Sequence, residues 1–491
     1  MEYTIKDREP QLLYHYFEEL SQIPRVSKNE AKAAEYVISV AERYGFQTYE
    51  DDIHNVLVTV PGTEGCEGQP SVLLAAHLDM VGEKTEDSAH DFSKDPVRLV
   101  EKGNVLYADH TTLGADNGCG VALMLYIMTA PGLKHPPLEL LFTVQEELGL
   151  LGAKHFDAGK IRSRRAIGLD AGSEGVLRKG TTDKYEMTSC LTVRREPVQG
   201  KTFKLAVDGL RGGDQGAGIP QERICAIKMT SRVLHFLNRI MDVRIISMDK
   251  RGKSIPESCT SFVSLEEGTE DEARKLLEEQ EHKIRIQYRE SDPDIRIRLL
   301  PLDTDEIRSV DKGMLIKKDS DNLIEALYLM PYGARHRSLK RLDEVSCSVI
   351  MKSIYTDEEG IHVFSVISAE ETEDGEALDE EMKTFMTHFG FRIEKTNLNE
   401  GWHAEKNSVI RDVMIESYEQ LFHCKPKVNI SHGGNDCVVL KKKIPDLDLV
   451  TTAATYVDFH TPNEHLYMDS FEKVCYLIVR TLENLAAEVK H

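Results

Sequence analysis

Residues 73–84, "LLAAHLDMVGEK", run four aliphatic or small side chains straight into His77 and, two places on, Asp79, with no turn signal between them. A run of this kind reads as a strand buried in a sheet. An imidazole and a carboxylate at its end therefore need a reason to be there. Two further apolar runs finish the same way: "LELLFTVQEE" (138–147) in Glu146 and Glu147, and "RAIGLD" (165–170) in Asp170. In an open α/β sheet the ligand crevice lies outside the carboxyl ends of the strands, so the three endings are expected to converge.

Around these runs, short apolar segments ("NVLVTV", "SVLLAAH") alternate with helical ones such as "GVALMLYIMTA", which is the pattern of an α/β domain on a central sheet. From residue 11 to 45 the pattern predicts two helices broken at Pro24, the second opening on Ser27 with Glu30 three places later as a capping box. After about residue 185 the texture changes to alternating strands, "TFKLAVDGL" and "DIRIRLLPL". Among them is a helix with Ile224, Ile227, Leu234, Leu237 and Met241 on one face. The acidic "SAEETEDGEALDEEM" reads as a solvated connection and helix start. The stretch 397–408, which holds the only Trp, reads as the chain returning from an inserted domain. No tandem repeat or low-complexity tract interrupts this pattern.

A chain of 491 residues exceeds the usual size of one core, so two domains are expected. A formal net charge of −22 repels a phosphate backbone and argues against nucleic acid as a partner. The N-terminus lacks the pattern of a secretory signal, and no stretch approaches the roughly 18 apolar residues of a membrane span. The expected location is cytoplasmic, without a membrane partner. The nine cysteines stand singly, with no Cys-x-x-Cys pair, as reduced core residues do.

Two more pieces complete the candidate site. "TTLGADNGCGVALM" places Asp116 in a Gly-rich turn before a helix, where Asp116 or Asn117 could equally be an N-cap. "DFHTPNEHLYM" offers His460 in a Pro-containing loop. Singly, a His-x-Asp pair is more often just hydrogen-bonded, and adjacent glutamates are usually solvated. Acids at the end of an interior strand are different, because an unpaired buried carboxylate costs several kcal/mol unless it is paired or holds a metal. Two histidines and three carboxylates suit Zn²⁺, Co²⁺ or Mn²⁺. Five ligands are too many for one catalytic ion with an open position, and two ions sharing a bridging carboxylate fit better. Asp79 is placed to accept the other ring N–H of His77.

With these residues assembled, the sequence resembles the M20 metallopeptidases, and within them the aminoacyl-histidine dipeptidase group. The matching stretches are "YFEELSQIPRVSKNE", "HLDMVGEK", "TTLGADNGCGVA", "TVQEELGLLGA", "LDAGSEG", "GLRGG" and "HTPNEH", in the family's order across nearly the whole chain. The resemblance implies an α/β catalytic domain of zinc-peptidase type with a central mixed sheet, residues 1–184 and 400–491, interrupted by an inserted α+β lid domain, residues 185–399. It further implies that His77 and Asp170 hold one metal ion, Glu147 and His460 the other, and that Asp116 bridges them. Glu146 would be the general base, and Asp79 the residue that orients His77. The expected activity is metal-dependent hydrolysis of dipeptides, with Xaa-His among them. The substrate would be a small peptide, the cofactors two divalent ions with Zn²⁺ foremost, and a homodimer is admitted.

The sequence departs from the family in the lid. Where the family carries Gly-Gly-His-Ser-Gly, this chain has "GGDQG", with Asp214 in place of the histidine. An ionised Asp cannot donate a hydrogen bond to an oxyanion. "LDEVSCSV" and "HGGNDCVVL" also differ from the family's runs. Asp214 and Arg211 are the substrate-binding candidates, with Arg335 and His336 as alternative donors. Two other readings stay open: a family member with another substrate (a deacylase or aminopeptidase), or a metal-binding protein with little peptidase activity.

Overall fold

The computed structural model describes residues 3–170, 173–252, 255–302, 306, 313–339, 344–431 and 433–487. They form two compact units, Met1–Thr181 with Trp402–His491, and Thr182–Gly401. Leu342, Asp343 and His432, in two of the divergent stretches, lie outside the described residues.

The first unit is built on an eight-stranded mixed sheet. Its spatial order is Gln47–Glu50, Val56–Val60, Leu138–Thr143, Val72–His77, Arg165–Gly168, Asp448–Thr451, Val176–Thr181 and Lys427–Ser431. Leu138–Thr143, Val72–His77, Arg165–Gly168 and Asp448–Thr451 run parallel to one another, so their carboxyl ends share one edge of the sheet. Every residue of Val72–His77 and of Leu138–Thr143 is buried, which is why both read as apolar runs, the second interrupted only by Glu139, whose carboxylate accepts the Arg162 and Ser163 N–H groups. The two-residue period of a strand divides them between two cores. Val72, Leu74 and Ala76 enter a core with residues of helices Gln11–Ser21, Ala115–Thr129 and Met468–Ala487. Leu73 and Ala75 enter another with Phe156, Trp402 and Leu440. The Trp402 indole N–H donates to the Lys179 carbonyl at 3.1 Å, satisfying the polar end of a buried ring.

The second unit contains two larger antiparallel sheets. One has the order Val243–Asp249, Cys259–Leu265, Lys201–Asp208, Arg296–Pro301. The other has the order Gly333–Arg337, Val345–Thr356, Ile361–Ala369, Asp183–Leu191, Arg392–Asn399. Helix Ala226–Asn238 buries Ile227, Leu234 and Leu237 against this unit's core, while Ile224 and Met241 pack just outside its ends. The acidic stretch continues into helix Thr372–His388.

The capping box expected at Ser27 and Glu30 does not form. The second helix is Ala31–Arg43, and no side chain caps its first turn. Ser27 Oγ donates instead to the Asp79 carboxylate at 2.8 Å, and Glu30 accepts the Gln145 N–H at 3.0 Å. Partners distant in the sequence take these two side chains from the local motif.

Candidate metal centre

His77 is the last residue of its strand. Its Nδ1 faces Asp79, 3.1 Å from the backbone oxygen and 3.4 Å from the carboxylate, and its Nε2 lies 3.2 Å from Asp116 Oδ1. Donation from Nδ1 to Asp79 fixes the tautomer and leaves Nε2 to the centre. The Asp79 side chain is fully buried, with three further hydrogen bonds: from Ser27 Oγ, from the Glu146 N–H at 3.0 Å and from the Glu147 N–H at 3.2 Å. One carboxylate thus orients the histidine and pins the backbone of both glutamates.

Those glutamates are not at the end of a strand, as the sequence led us to expect. The strand stops at Thr143, and Gln145, with φ of 53°, turns the chain so that Glu146 and Glu147 sit in a turn closed by Gly149 and Leu150 N–H groups on the Glu146 carbonyl. The turn, rather than strand alternation, separates the directions of the two side chains.

Asp116 precedes the regular part of its helix. Its ψ of 107° is non-helical, and the capping role falls to Asn117, whose Oδ1 accepts the Gly120 N–H at 3.1 Å. The preceding turn needs Gly114, at φ 72°, where a Cβ would come within 2.6 Å of Arg25 Nη2. Glu464 accepts the N–H groups of Leu113, Gly114 and Asp116 at 2.8, 2.9 and 3.2 Å and holds the turn from the other side.

His77, Asp116 and Asp170 bring one donor atom each within 4.8 Å of one another, and so do Asp116, Glu147 and His460. Asp116 belongs to both sets. Within the second, His460 Nε2 is 2.7 Å from Glu147 Oε1 and 3.5 Å from Asp116 Oδ2. His77, Glu146 and Glu147 form a third set, so Glu146 lies at the same centre. All seven residues expected there are brought together in the first unit.

The electrostatics are those of a site with too much acid. Burial pushes the Glu146 carboxyl up to about 10, reinforced by Asp170, Asp436 and Glu147 against the pull of His77. Burial and Asp116 raise Asp170 to about 7. Burial opposes charge on Asp116, yet hydrogen bonds from His460 and His77 hold it below the usual carboxylate range. Burial opposes charge on both histidines too, but Asp116 and the neighbouring carboxylates outweigh it, raising His77 well above its ordinary value and His460 to about 10. So many buried carboxylates beside two histidines call for positive charge, and an N/O donor set with this surplus of carboxylate fits divalent ions of the zinc class.

Three residues of the centre were not singled out from sequence. Asp436 is buried, accepts from the Thr143 hydroxyl, and is raised to about 6 by burial; its Oδ1 has no hydrogen-bond partner. Arg25 is buried and donates to the carbonyls of Leu78, Asp79 and Gly114 at 2.8, 3.2 and 2.6 Å. Glu464 is the third. All lie inside stretches that carry the family resemblance or its divergence, but their partners are far away in sequence.

Asp214 and Arg211 belong to the second unit. The Asp214 carboxylate accepts the Gly216 N–H at 2.7 Å, capping the short helix Gln215–Gly218. The Arg211 backbone N–H donates to Asp292, and its guanidinium to the Glu290 carbonyl. Arg335 and His336 lie on the edge strand Gly333–Arg337, where Arg335 pairs with Glu381 and His336 with Asp374.

The model of peptidase family M20/M25/M40 matches residues 73–484. The chain is 30% identical over 487 residues to the cytosol non-specific dipeptidase of Escherichia coli, covering 98% of each. It superposes on the crystal structure of aminoacylhistidine dipeptidase from Vibrio alginolyticus with a TM-score of 0.83 and 27% identity, over 98% of this chain and 99% of that one. An aminopeptidase of Bacillus cereus, at 17% identity and a TM-score of 0.56, shares the fold. Among the described residues no helix is long and apolar enough to cross a membrane. A match over most of its length, together with a full-length relative, makes this chain a member of the M20/M25/M40 peptidase family.

Proposed function

We propose that the chain is a metal-dependent dipeptidase with a dinuclear centre: His77 and Asp170 on one ion, Glu147 and His460 on the other, and Asp116 between them. The observation that carries this reading is the membership of Asp116 in both donor sets. When bound, two divalent ions would supply Lewis acidity toward the scissile carbonyl and lower the pKa of a water. Zn²⁺ is the ion we favour, from the balance of imidazole and carboxylate donors.

Glu146 is the general base and then the general acid. It has no direct hydrogen bond to the histidines, and its carboxyl is raised chiefly by burial, so it holds a proton readily once it has taken one. With divalent ions bound, their charge would offset the burial that raises this carboxyl, and Glu146 would accept the proton of the attacking water and return it to the leaving amine. Asp79 fixes the His77 tautomer and the Glu146–Glu147 turn, and Arg25 and Glu464 hold the Asp116 turn. We take the unit Met1–Thr181 with Trp402–His491 as the catalytic domain and Thr182–Gly401 as the lid, in place of the bounds 184/185 and 399/400 read from sequence.

The substrate is a dipeptide, as the names of the E. coli and Vibrio relatives say of those proteins. Asp214 and Arg211 are proposed substrate contacts. A carboxylate accepts without donating, so Asp214 suits an ammonium group rather than an oxyanion. We place the reaction in the cytoplasm, in keeping with the E. coli relative's name and with nine free cysteines. Turnover of a dipeptide panel, Xaa-His included, by protein loaded with Zn²⁺, Co²⁺ or Mn²⁺ tests the proposal. Two ions bound without hydrolysis of any member would refute it.

A further inference from the structure

The five-stranded sheet of the second unit carries a row of side chains that the peptidase reading does not use. Its register sets Tyr355 opposite His362, His362 opposite Cys190, and Cys190 opposite Arg392. The pairing slips between Ile393 and Lys395, leaving Glu394 as the extra residue of a bulge beside this row. Cys190 Sγ, a ring nitrogen of His362 and a carboxylate oxygen of Glu394 come within 4.8 Å of one another.

We infer that Cys190, His362 and Glu394 form a binding site for a zinc-class ion, with Asp357 orienting His362. The residue chemistry is that of a borderline-soft cation: one thiolate, one imidazole, one carboxylate, and a coordination position left for water. Each ring nitrogen of His362 already faces a carboxylate, Glu394 at 3.0 Å from Nδ1 and Asp357 at 3.1 Å from Nε2. One nitrogen can ligate while the other gives its proton to a carboxylate, the arrangement that makes a histidine a good ligand.

With Asp357 on Nε2, the ligating nitrogen is Nδ1, 3.0 Å from the Glu394 carboxylate. Cys190 Sγ lies 3.7 Å from Nε2 of the same ring, and the three donors gather within 4.8 Å, against roughly 3.3–3.6 Å between ligands on a tetrahedral zinc with bonds of about 2.0–2.3 Å. The geometry is also held. Tyr355 stacks on the His362 ring at 4.6 Å with an interplanar angle of 7°, and Arg251 lies over the Tyr355 ring. Arg392 holds the second oxygen of Glu394 at 2.8 Å. The thiol and imidazole are buried, and the Glu394 and Asp357 side chains are 23% and 41% exposed, so the donors form a floor with an open mouth. Hydrogen bonds between His362 and the two carboxylates alone would hold those three residues without Cys190, and that alternative is what the experiment separates.

The full chain, saturated with Zn²⁺ and desalted, should hold one more ion than its Cys190→Ser and Glu394→Gln variants. Loaded with Co²⁺, the wild type should show a thiolate-to-cobalt charge-transfer band that Cys190→Ser lacks, a signal the catalytic centre cannot produce because its proposed ligands include no cysteine. Both variants should keep dipeptidase turnover and the two catalytic ions, so failure here is distinguishable from failure of the peptidase reading. Asp357→Asn should retain the ion with affinity lower by roughly 10- to 100-fold. Should Cys190→Ser misfold by circular dichroism, the count in Glu394→Gln decides. Equal ion counts in wild type and variants, with no Cys190-dependent band, overturn the proposal.

Discussion

Replacing Asp79 by asparagine tests how the metal centre is held. The side chain keeps its shape but offers one oxygen and one NH₂ where there were two acceptor oxygens. Oδ1 serves the Glu146 N–H, and Oδ2 serves Ser27 Oγ and the Glu147 N–H. Whichever way the amide turns, its NH₂ points at a backbone N–H in a fully buried position. The loss is one hydrogen bond to a charged acceptor, about 1.5–3 kcal/mol, plus an unpaired buried donor, about 1–3 kcal/mol. The metal-free protein should therefore lose about 2.5–6 kcal/mol of unfolding free energy, measurable as a shift in the urea midpoint at constant m-value. His77 loses its orienting carboxylate in the same change, so zinc affinity, read by competition with a chromophoric chelator, should fall roughly 10- to 100-fold. A stability loss below about 1 kcal/mol, with zinc affinity altered by less than roughly threefold, would refute the reasoning.

Glu146→Gln should abolish dipeptide hydrolysis and leave metal content intact, whereas Glu147→Gln should lose metal; equal metal loss in both would show the two neighbours exchanged in role. In the metal-free protein Glu146, Asp170, His77 and His460 all bind protons more tightly folded than unfolded. Stability should therefore fall as pH rises from about 4.5 toward 10, by up to about 1.4 kcal/mol per pH unit for each fully buried group, and bound metal should flatten the profile. A metal-free protein whose thermal midpoint rises from pH 5 to pH 9 contradicts this. Asp214→His should fail to raise kcat/KM on dipeptides, because it removes the carboxylate proposed to meet the substrate ammonium, and should cost about 0.5–2 kcal/mol of stability because Asp214 caps a helix. A rise in kcat/KM toward the roughly 10²–10³ that an oxyanion donor can contribute would show that a missing donor, and not an ammonium contact, defines this position. Gly114→Ala should destabilise by more than about 1 kcal/mol, because the turn has φ of 72° and a Cβ meets Arg25; a neutral result in thermal melts would show that the turn can relax.

By itself the sequence determined that the chain has an α/β unit of buried strands ending in ligand-type residues. His77, Asp79, Asp170 and the Glu146–Glu147 pair were legible because an apolar run that passes into a carboxylate or imidazole breaks its own pattern, whether the residue ends the strand, as His77 does, or stands in the turn beyond it, and burial makes that break expensive unless something occupies the site. Asp116 was legible as a turn residue, though spacing alone could not choose between it and Asn117 as the cap. Only the tertiary structure decided that Asn117 caps while Asp116 faces His77 and His460. It also turned Ser27 and Glu30 away from their own helix toward Asp79 and Gln145. The same holds for Arg25, Glu464 and Asp436, and for Cys190, which meets His362 across 172 residues of chain through strand register alone. The physical reason is common to all of them. Local sequence sets backbone preference and the periodicity of burial, but a polar side chain takes the buried partner that desolvation makes most costly to leave alone, and that partner is chosen by the fold.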